Sequence, residues 1–386
     1  MKEFDYLGEG DVYLDAACQS LRPRCVIDAV TRYYTEHNSC GERVKYKWGV
    51  ETDEKVEESR ELVLKYLGLK SKKYTVSFTL NTTYGINLIL SQLRAEYFSK
   101  VMTSEIEHNS PFLATMAFAE RTGVPREVMA REDDGSIDID AYDFTDAIVV
   151  VNCAANFDGR KLENIKDLEK VVHKAGGILI IDAAQAMAHS VDILRGIEVD
   201  AICFSAHKMY APSLGVIVWR DELMEKMSVG FVGGGMVDDV QLDSYLLSAE
   251  GKEHRYTRFE SGLQAWGEII GLGAALKWLD GVSRADWRDL ERNYKDLYDF
   301  LNNSEKVHMI NKAANPTMSF YVEGMDSHLL GSALSRENIM ARTGYFCAHY
   351  YLDHVIGMPP LIRFSLGLHN RPEDIDKIKK VMEKII

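Results

Sequence analysis

The chain has 386 residues, enough for one large or two moderate domains. Its 45 basic and 59 acidic residues leave a net charge of −14, which argues against non-specific binding to nucleic acid or to an anionic membrane, since both demand Lys and Arg. Hydrophobic residues at 46% and charged residues at 27% are a globular balance; no apolar run reaches the roughly 18 residues of a membrane span, and MKEFDYLGEG carries acids where a signal peptide has an apolar core, so a cytoplasmic protein is expected.

In chain order, Tyr74–Leu80 (YTVSFTL) predicts a strand, Gly85–Phe98 a helix and Lys100–Ile106 a second strand. Ala147–Val151 (AIVVV) reads as a strand buried on both faces. Ile165–Lys174 is an amphipathic helix closed by Gly176-Gly177. Ile178–Ile181, Ala201–Phe204 and Gly215–Trp219 follow as short strands, and this alternation predicts a mostly parallel sheet with helices on both faces. Beyond about residue 283 come a charged helix (Arg284–Leu301), strands at Val307–Ile310 and Thr317–Val322, a helix, a loop around 341–360, a strand at Leu361–Leu366 and a last helix, Pro372–Ile386. The reading is a large domain over 20–282 and a smaller α+β domain over 283–386 joined by 1–19. The six cysteines contain no CxxC pair, so zinc or dithiol chemistry is not expected.

Ligands of such sheets sit at the carboxyl ends of strands, and three strand ends carry chemistry. After the first comes Asn81-Thr82-Thr83-Tyr84-Gly85, two hydroxyls and free N–H groups at a helix start: an anion site, or a plain N-cap. Asp182-Ala183-Ala184-Gln185 puts an acid at the end of a buried strand, where it needs a cationic partner or backbone amides. Ser205-Ala206-His207-Lys208 ends another strand with a lysine, either reaching to solvent or a Schiff-base former. Together an anion hole, an acid and an amine are what pyridoxal phosphate requires: a cradle for its phosphate, a partner for its ring nitrogen and an amine for its aldehyde.

These motifs resemble the class V, fold type I pyridoxal-phosphate enzymes, in the cysteine desulfurase and selenocysteine lyase branch. YLDAACQSLRP (13–23), NTTYGIN (81–87), EIEHN (105–109), DAAQ (182–185), SAHK (205–208), RFESG (258–262), RTGYFCA (342–348) and IRFSLGLHNRPEDID (362–376) follow the family's order nearly end to end. The resemblance implies a large domain with a mostly parallel seven-stranded sheet sandwiched by helices, plus the smaller C-terminal domain. It implies that Lys208 carries the cofactor, Asp182 faces the pyridine nitrogen, and His108 stacks on the ring and assists proton transfer. Gln185 and Asn156 would face the ring hydroxyl, with Asn152 the competing choice, and Asn156 would also touch substrate. Thr82, Thr83, Ser205 and His207 would bind the phosphate, and Arg363 the substrate carboxylate.

Cys347 decides the implied chemistry. RTGYFCA resembles the short-loop, SufS-like type, in which the loop cysteine takes sulfur from L-cysteine and passes it to an acceptor protein, as in iron–sulfur cluster assembly. The family also implies a homodimer. Selenocysteine lyase, another C–S lyase and a class V aminotransferase or epimerase are the alternatives. Cys347-x-His349 has too few ligands for a metal, and none is expected. The chain departs from the pattern at Gly262-Leu263, where a phosphate-contacting Thr is usual, at Asn81, at Cys18 in place of Thr or Ser, and at 38–49, which lacks the usual histidine.

Overall fold

Short runs of β-branched residues build the centre of the molecule. The computed structural model describes residues 2–41, 44–248 and 252–386. Seven strands form the main sheet: β1 (Tyr74–Thr79), β2 (Lys100–Ser104), β3 (Arg126–Met129), β4 (Ala147–Asn152), β5 (Ile178–Asp182), β6 (Ala201–Ser205) and β7 (Gly215–Arg220). Their order is β1-β7-β6-β5-β4-β2-β3. Only β7 runs antiparallel to its neighbours. Alternation within β4 and β5 feeds two cores. Val149, Val151, Leu179 and Ile181 face one of them; Ile148, Val150, Ile178 and Ile180 face the other. Helices Arg24–Glu36, Lys47–Leu67 and Trp266–Gly281 contribute to the first core, and Thr82–Gln92 and Asn109–Thr122 to the second.

A second, antiparallel sheet follows in the order β8-β9-β11-β10: β8 (Val307–Met309), β9 (Thr317–Val322), β10 (Arg342–Gly344) and β11 (Leu361–Ser365). Val12–Tyr13 pairs in parallel with Ile339–Met340, and Asp15 bridges to Ser365. The N-terminal segment is thereby tied to the later part of the chain.

Several expected boundaries move. The expected helix Gly85–Phe98 is instead Thr82–Gln92, because Asn81 caps it by accepting from Tyr84 N at 2.9 Å. Its two threonines are therefore helical first-turn residues. A separate short turn covers Ala95–Tyr97. The second strand stops at Ser104, since His108 already caps the helix at Asn109–Thr122. The edge strand β3 was not expected; its REVM sequence has no clean alternation. The region 341–360 is not all loop: it holds β10 and a π-helical turn at Tyr350–Val355. Residues 42 and 43 of the segment 38–49 lie outside the described residues.

Gly215 starts β7 next to the Asn81 turn. A Cβ there would lie 2.4 Å from Asn81 N, so glycine is what permits this close approach.

One buried ion pair fixes the end of β1. Arg60 meets Glu260 in a bidentate pair at 2.7 and 2.8 Å, and Glu260 also accepts from Phe78 N. The two side chains are 7% and 1% exposed. Glu260→Ala would remove the bidentate partner of a buried guanidinium and leave it only Glu57 Oε1 at 3.0 Å and the Val76 carbonyl, with an expected loss of about 3 kcal/mol of unfolding free energy in urea titration. A loss within ~1 kcal/mol would show the pair to be dispensable.

Candidate active site

Register assembles the centre of the site. Asn152 pairs with Asp182 across β4 and β5, and Asp182 pairs with Cys203 across β5 and β6. Two and three residues beyond the end of β6 lie His207 and Lys208. A cavity of about 310 Å³ opens there. It is lined by Thr82, Thr83, His108, Asn152, Asn156, Asp182, Gln185, Ser205, His207, Lys208, Cys347 and Arg363.

At one end of the cavity four hydroxyls gather at the helix start, those of Thr82, Thr83, Ser110 and Ser205. Thr82 Oγ1 lies 2.7 Å from Ser205 Oγ, which also accepts from Thr82 N at 2.9 Å. Thr83 Oγ1 lies 2.6 Å from Ser110 Oγ. Free amides, the helix dipole and hydroxyls together suit an anion. His207 stands beside them, its imidazole pushed down to about 4 by burial and by the charges of Lys208 and Arg22.

At the middle, Asp182 is buried and accepts from Ala184 N at 2.9 Å. Burial pushes its carboxyl up; the Ala184 amide and the Lys208 charge work the other way. Burial pushes the Lys208 amine down, partly offset by Asp182. Lys208 Nζ donates to no partner among the described residues. Lys208 itself is partly exposed and opens onto the cavity.

His108 hangs over the cavity. Its Nδ1 accepts from Ser110 N at 3.0 Å, so the ring proton belongs on Nε2. Burial, then the charges of Lys208 and Arg363, push it down to about 3. A folded value below the unfolded one means that this group supports the fold above about pH 6.5 and weakens it as pH falls toward 3. ¹⁵N NMR of the folded protein should show His108 neutral, Nε2-protonated, throughout pH 5–8. Titration near 6.5 would mean that the ring is solvated.

At the other end, Arg363 of β11 is 3% exposed rather than a surface strand arginine. It sits directly opposite Arg342 of β10, a repulsive register pair. Asp15 resolves it: Oδ1 takes Arg363 Nη2 at 3.0 Å and Oδ2 takes Arg342 Nη2 at 2.8 Å. Arg363 Nη1 donates to Asn156 O at 2.9 Å, and the guanidinium lies 4.8 Å over the Phe346 ring. Its Nε is buried without a partner among the described residues, as are Asn156 Oδ1 and Asn152 Oδ1. Gln185 is turned to the N-terminal segment, donating to Ala17 O at 2.8 Å.

The Cys347 loop is pinned rather than free. Phe346 and Cys347 both take left-handed conformations, φ +49° and +59°. These cost non-glycine residues energy and persist only where neighbours hold them. Asn156 Nδ2 donates to Phe346 O at 2.5 Å, and Asn109 N donates to Cys347 O at 2.6 Å. Asn109 Nδ2 also meets His349 Nδ1 at 3.3 Å. The Cys347 side chain is exposed yet lines the cavity.

Sequence reasoning missed three contributors. Asp15 lies within YLDAACQSLRP, but its pairing with two arginines more than 320 residues away is invisible locally. Glu107 is buried beneath the floor, holding Ser104 Oγ and Asn152 N, and burial pushes it up to about 7. Ser110 joins His108 to Thr83.

The residues fit pyridoxal phosphate. The helix-start hydroxyls suit its phosphate and the buried Asp182 its ring nitrogen. The orphaned amide oxygens suit donor groups, and Lys208 has the free amine that its aldehyde needs.

The class-V aminotransferase family model matches residues 12–378. The Vibrio cholerae protein named "Probable cysteine desulfurase" is 27% identical over 386 residues, covering 97% of this chain and 93% of its own. The apo structure of a cysteine desulfurase from Thermococcus onnurineus superposes with TM-score 0.87 at 27% identity, over 98% of this chain and 95% of that one. An Escherichia coli cysteine desulfurase in an S-sulfonic acid form gives TM-score 0.87 at 22% identity, over 99% and 96%, a likeness of fold.

Proposed function

The chain belongs to the class-V aminotransferase family, and we propose that it is a pyridoxal-phosphate-dependent cysteine desulfurase, converting L-cysteine to L-alanine and leaving the sulfur on Cys347. One observation carries the reading: a cysteine on a strained, pinned loop shares one cavity with the Lys208–Asp182 centre. The relatives at 27% identity bear the same name.

When bound, the cofactor supplies an aldehyde that condenses with amines and a ring that accepts the electrons released at the substrate's Cα. The residues of this chain do the rest. Thr82, Thr83, Ser205 and His207 hold the phosphate. Asp182 keeps a proton on the ring nitrogen. His108, neutral, would cover the ring, and Gln185 and Asn156 would lie on the side of its hydroxyl. Arg363 takes the substrate carboxylate through its unpartnered Nε edge. Lys208, its amine made less basic by burial, takes the proton from substrate Cα. Cys347 Sγ then attacks the substrate sulfur. The Cβ–S bond breaks with its electron pair staying on the carbon fragment, protons return to Cα and Cβ, and alanine leaves. The cysteine sulfur stays on Cys347 as a persulfide.

We assign residues 20–282 to the cofactor-binding domain and 1–19 with 283–386 to the smaller one, on the pairing of Val12–Tyr13 with Ile339–Met340. A homodimer accords with exposed Leu242 and Leu263, 96% and 76% accessible in the single chain. The exposure of Cys347 suits delivery to an acceptor protein. No helix of the described residues is long and apolar enough to cross a membrane, and the acidic composition accords with a cytoplasmic enzyme.

Intact-mass measurement of the cofactor-loaded protein after L-cysteine, with alanine quantified alongside, tests the reading. One added sulfur on the peptide holding Cys347, together with alanine, is expected. A keto acid, or no alanine at all, would overturn it.

A further inference from the structure

The cavity holds two thiols. Cys18 lies on the N-terminal segment, half-buried, and lines the same cavity as Cys347. Its Sγ accepts from Arg342 Nη2 at 2.7 Å. That guanidinium is itself fixed, donating through Nε and Nη2 to Asp15 Oδ2 at 3.1 and 2.8 Å. Both sulfurs are close enough to Lys208 to act on the charge of its amine. The nucleophilic form of a thiol is its thiolate, and Arg342 is the cation in hydrogen-bond contact with the Cys18 sulfur among the described residues. Cys347 has no cation in hydrogen-bond contact with its sulfur among the described residues. The two thiols thus differ. One is exposed, on a loop that reaches the cavity from outside; the other is sheltered and held by a fixed cation.

We propose that Cys18 is a second sulfur-carrying residue of this site, receiving the terminal sulfur from Cys347 within the cavity. This rests on the desulfurase reading above. The Cys18 thiolate attacks the terminal sulfur of the Cys347 persulfide. The S–S bond at Cys347 breaks, and its Sγ leaves with the electron pair as a thiolate. A new S–S bond forms at Cys18. One disulfur bond replaces another, so there is no net oxidation and no co-reactant. The sulfur then sits on the half-buried Cys18, and Cys347 is free for a second substrate molecule.

The test is peptide mapping of the cofactor-loaded protein. The protein is given a few equivalents of L-cysteine without other thiols, alkylated with iodoacetamide and digested, and alanine is measured in the same samples. The expected result is added sulfur on the peptides holding Cys18 and Cys347, and an alanine burst that exceeds one equivalent per chain. In Cys18→Ser the sulfur should be confined to Cys347 and the burst should fall to one equivalent. In Cys347→Ser neither peptide should gain sulfur. Arg342→Gln should shift the label toward Cys347. Alanine formation with sulfur on Cys347 alone in the unmodified protein overturns the relay and leaves the desulfurase reading standing. Sulfur on Cys18 in Cys347→Ser also overturns it, because Cys18 would then load directly from substrate. Absence of both alanine and added sulfur overturns the relay together with the reading beneath it.

Discussion

Lys208→Ala is expected to abolish turnover of every amino-acid substrate. Two roles are lost at one position: the amine that holds the cofactor covalently and the base that takes the Cα proton. A positioned general base alone is worth about 10²–10⁴-fold in rate, so a residual activity below about a thousandth of normal is expected. The geometry explains why nothing else substitutes. Besides the thiols of Cys18 and Cys347, the cavity is lined by a buried carboxyl, Asp182, and by imidazoles held neutral by burial. Arg363 and Arg342 stay protonated at any working pH. Borohydride reduction gives a readout independent of turnover: it should fix the cofactor to the unmodified protein, detectable by mass, and leave Lys208→Ala unmodified. Cofactor fixed in the variant would place the attachment elsewhere and remove Lys208 from the centre of the site.

How far this site is legible in sequence depends on the distance over which each residue acts. Asp182 and Lys208 are readable because each ends a short apolar strand, and strand ends converge in a parallel sheet. The structure adds one residue to β5 and β6, so that Asp182 and Ser205 lie inside the ladder and are aligned by its register. Thr82 and Thr83 are readable as anion-binding residues, but their place inside the helix depends on Asn81, whose side-chain cap replaces the glycine common in the family. Arg363 is ambiguous from its own strand. Its burial comes from Asp15 and Phe346, which approach from opposite ends of the chain. The π-turn after Cys347 and the left-handed pair Phe346-Cys347 leave no sequence signature, because carbonyl contacts from Asn109 and Asn156 impose them. Short-range propensity describes the sheet well; the cavity is closed by contacts as far apart in sequence as Asp15 and Arg363, 348 residues.

Cys347→Ala separates the proposed chemistry from that of other family members. With cysteine as substrate, alanine formation should fall about a hundredfold or more, equivalent to ~3 kcal/mol of barrier, and the protein should gain no sulfur. The reason lies in the leaving group. A thiolate leaves a carbon reluctantly, and attack by Cys347 Sγ on the substrate sulfur lets the Cβ–S bond break without releasing it. Selenide leaves more readily, so selenocysteine should still yield alanine at a rate near that of the unmodified enzyme. This contrast is also the control for folding. Lys208, Asp182 and Arg363 do not depend on the Cys347 side chain, and the loop is anchored through backbone carbonyls that the substitution leaves in place. Loss of both activities would point instead to a damaged cavity, and the loop conformation would then be the property to measure. Normal rates with cysteine would make Cys347 an ordinary loop residue. They would also move the class-V aminotransferase and C–S lyase readings ahead of the desulfurase, since those reactions need Lys208 and Asp182 but no thiol.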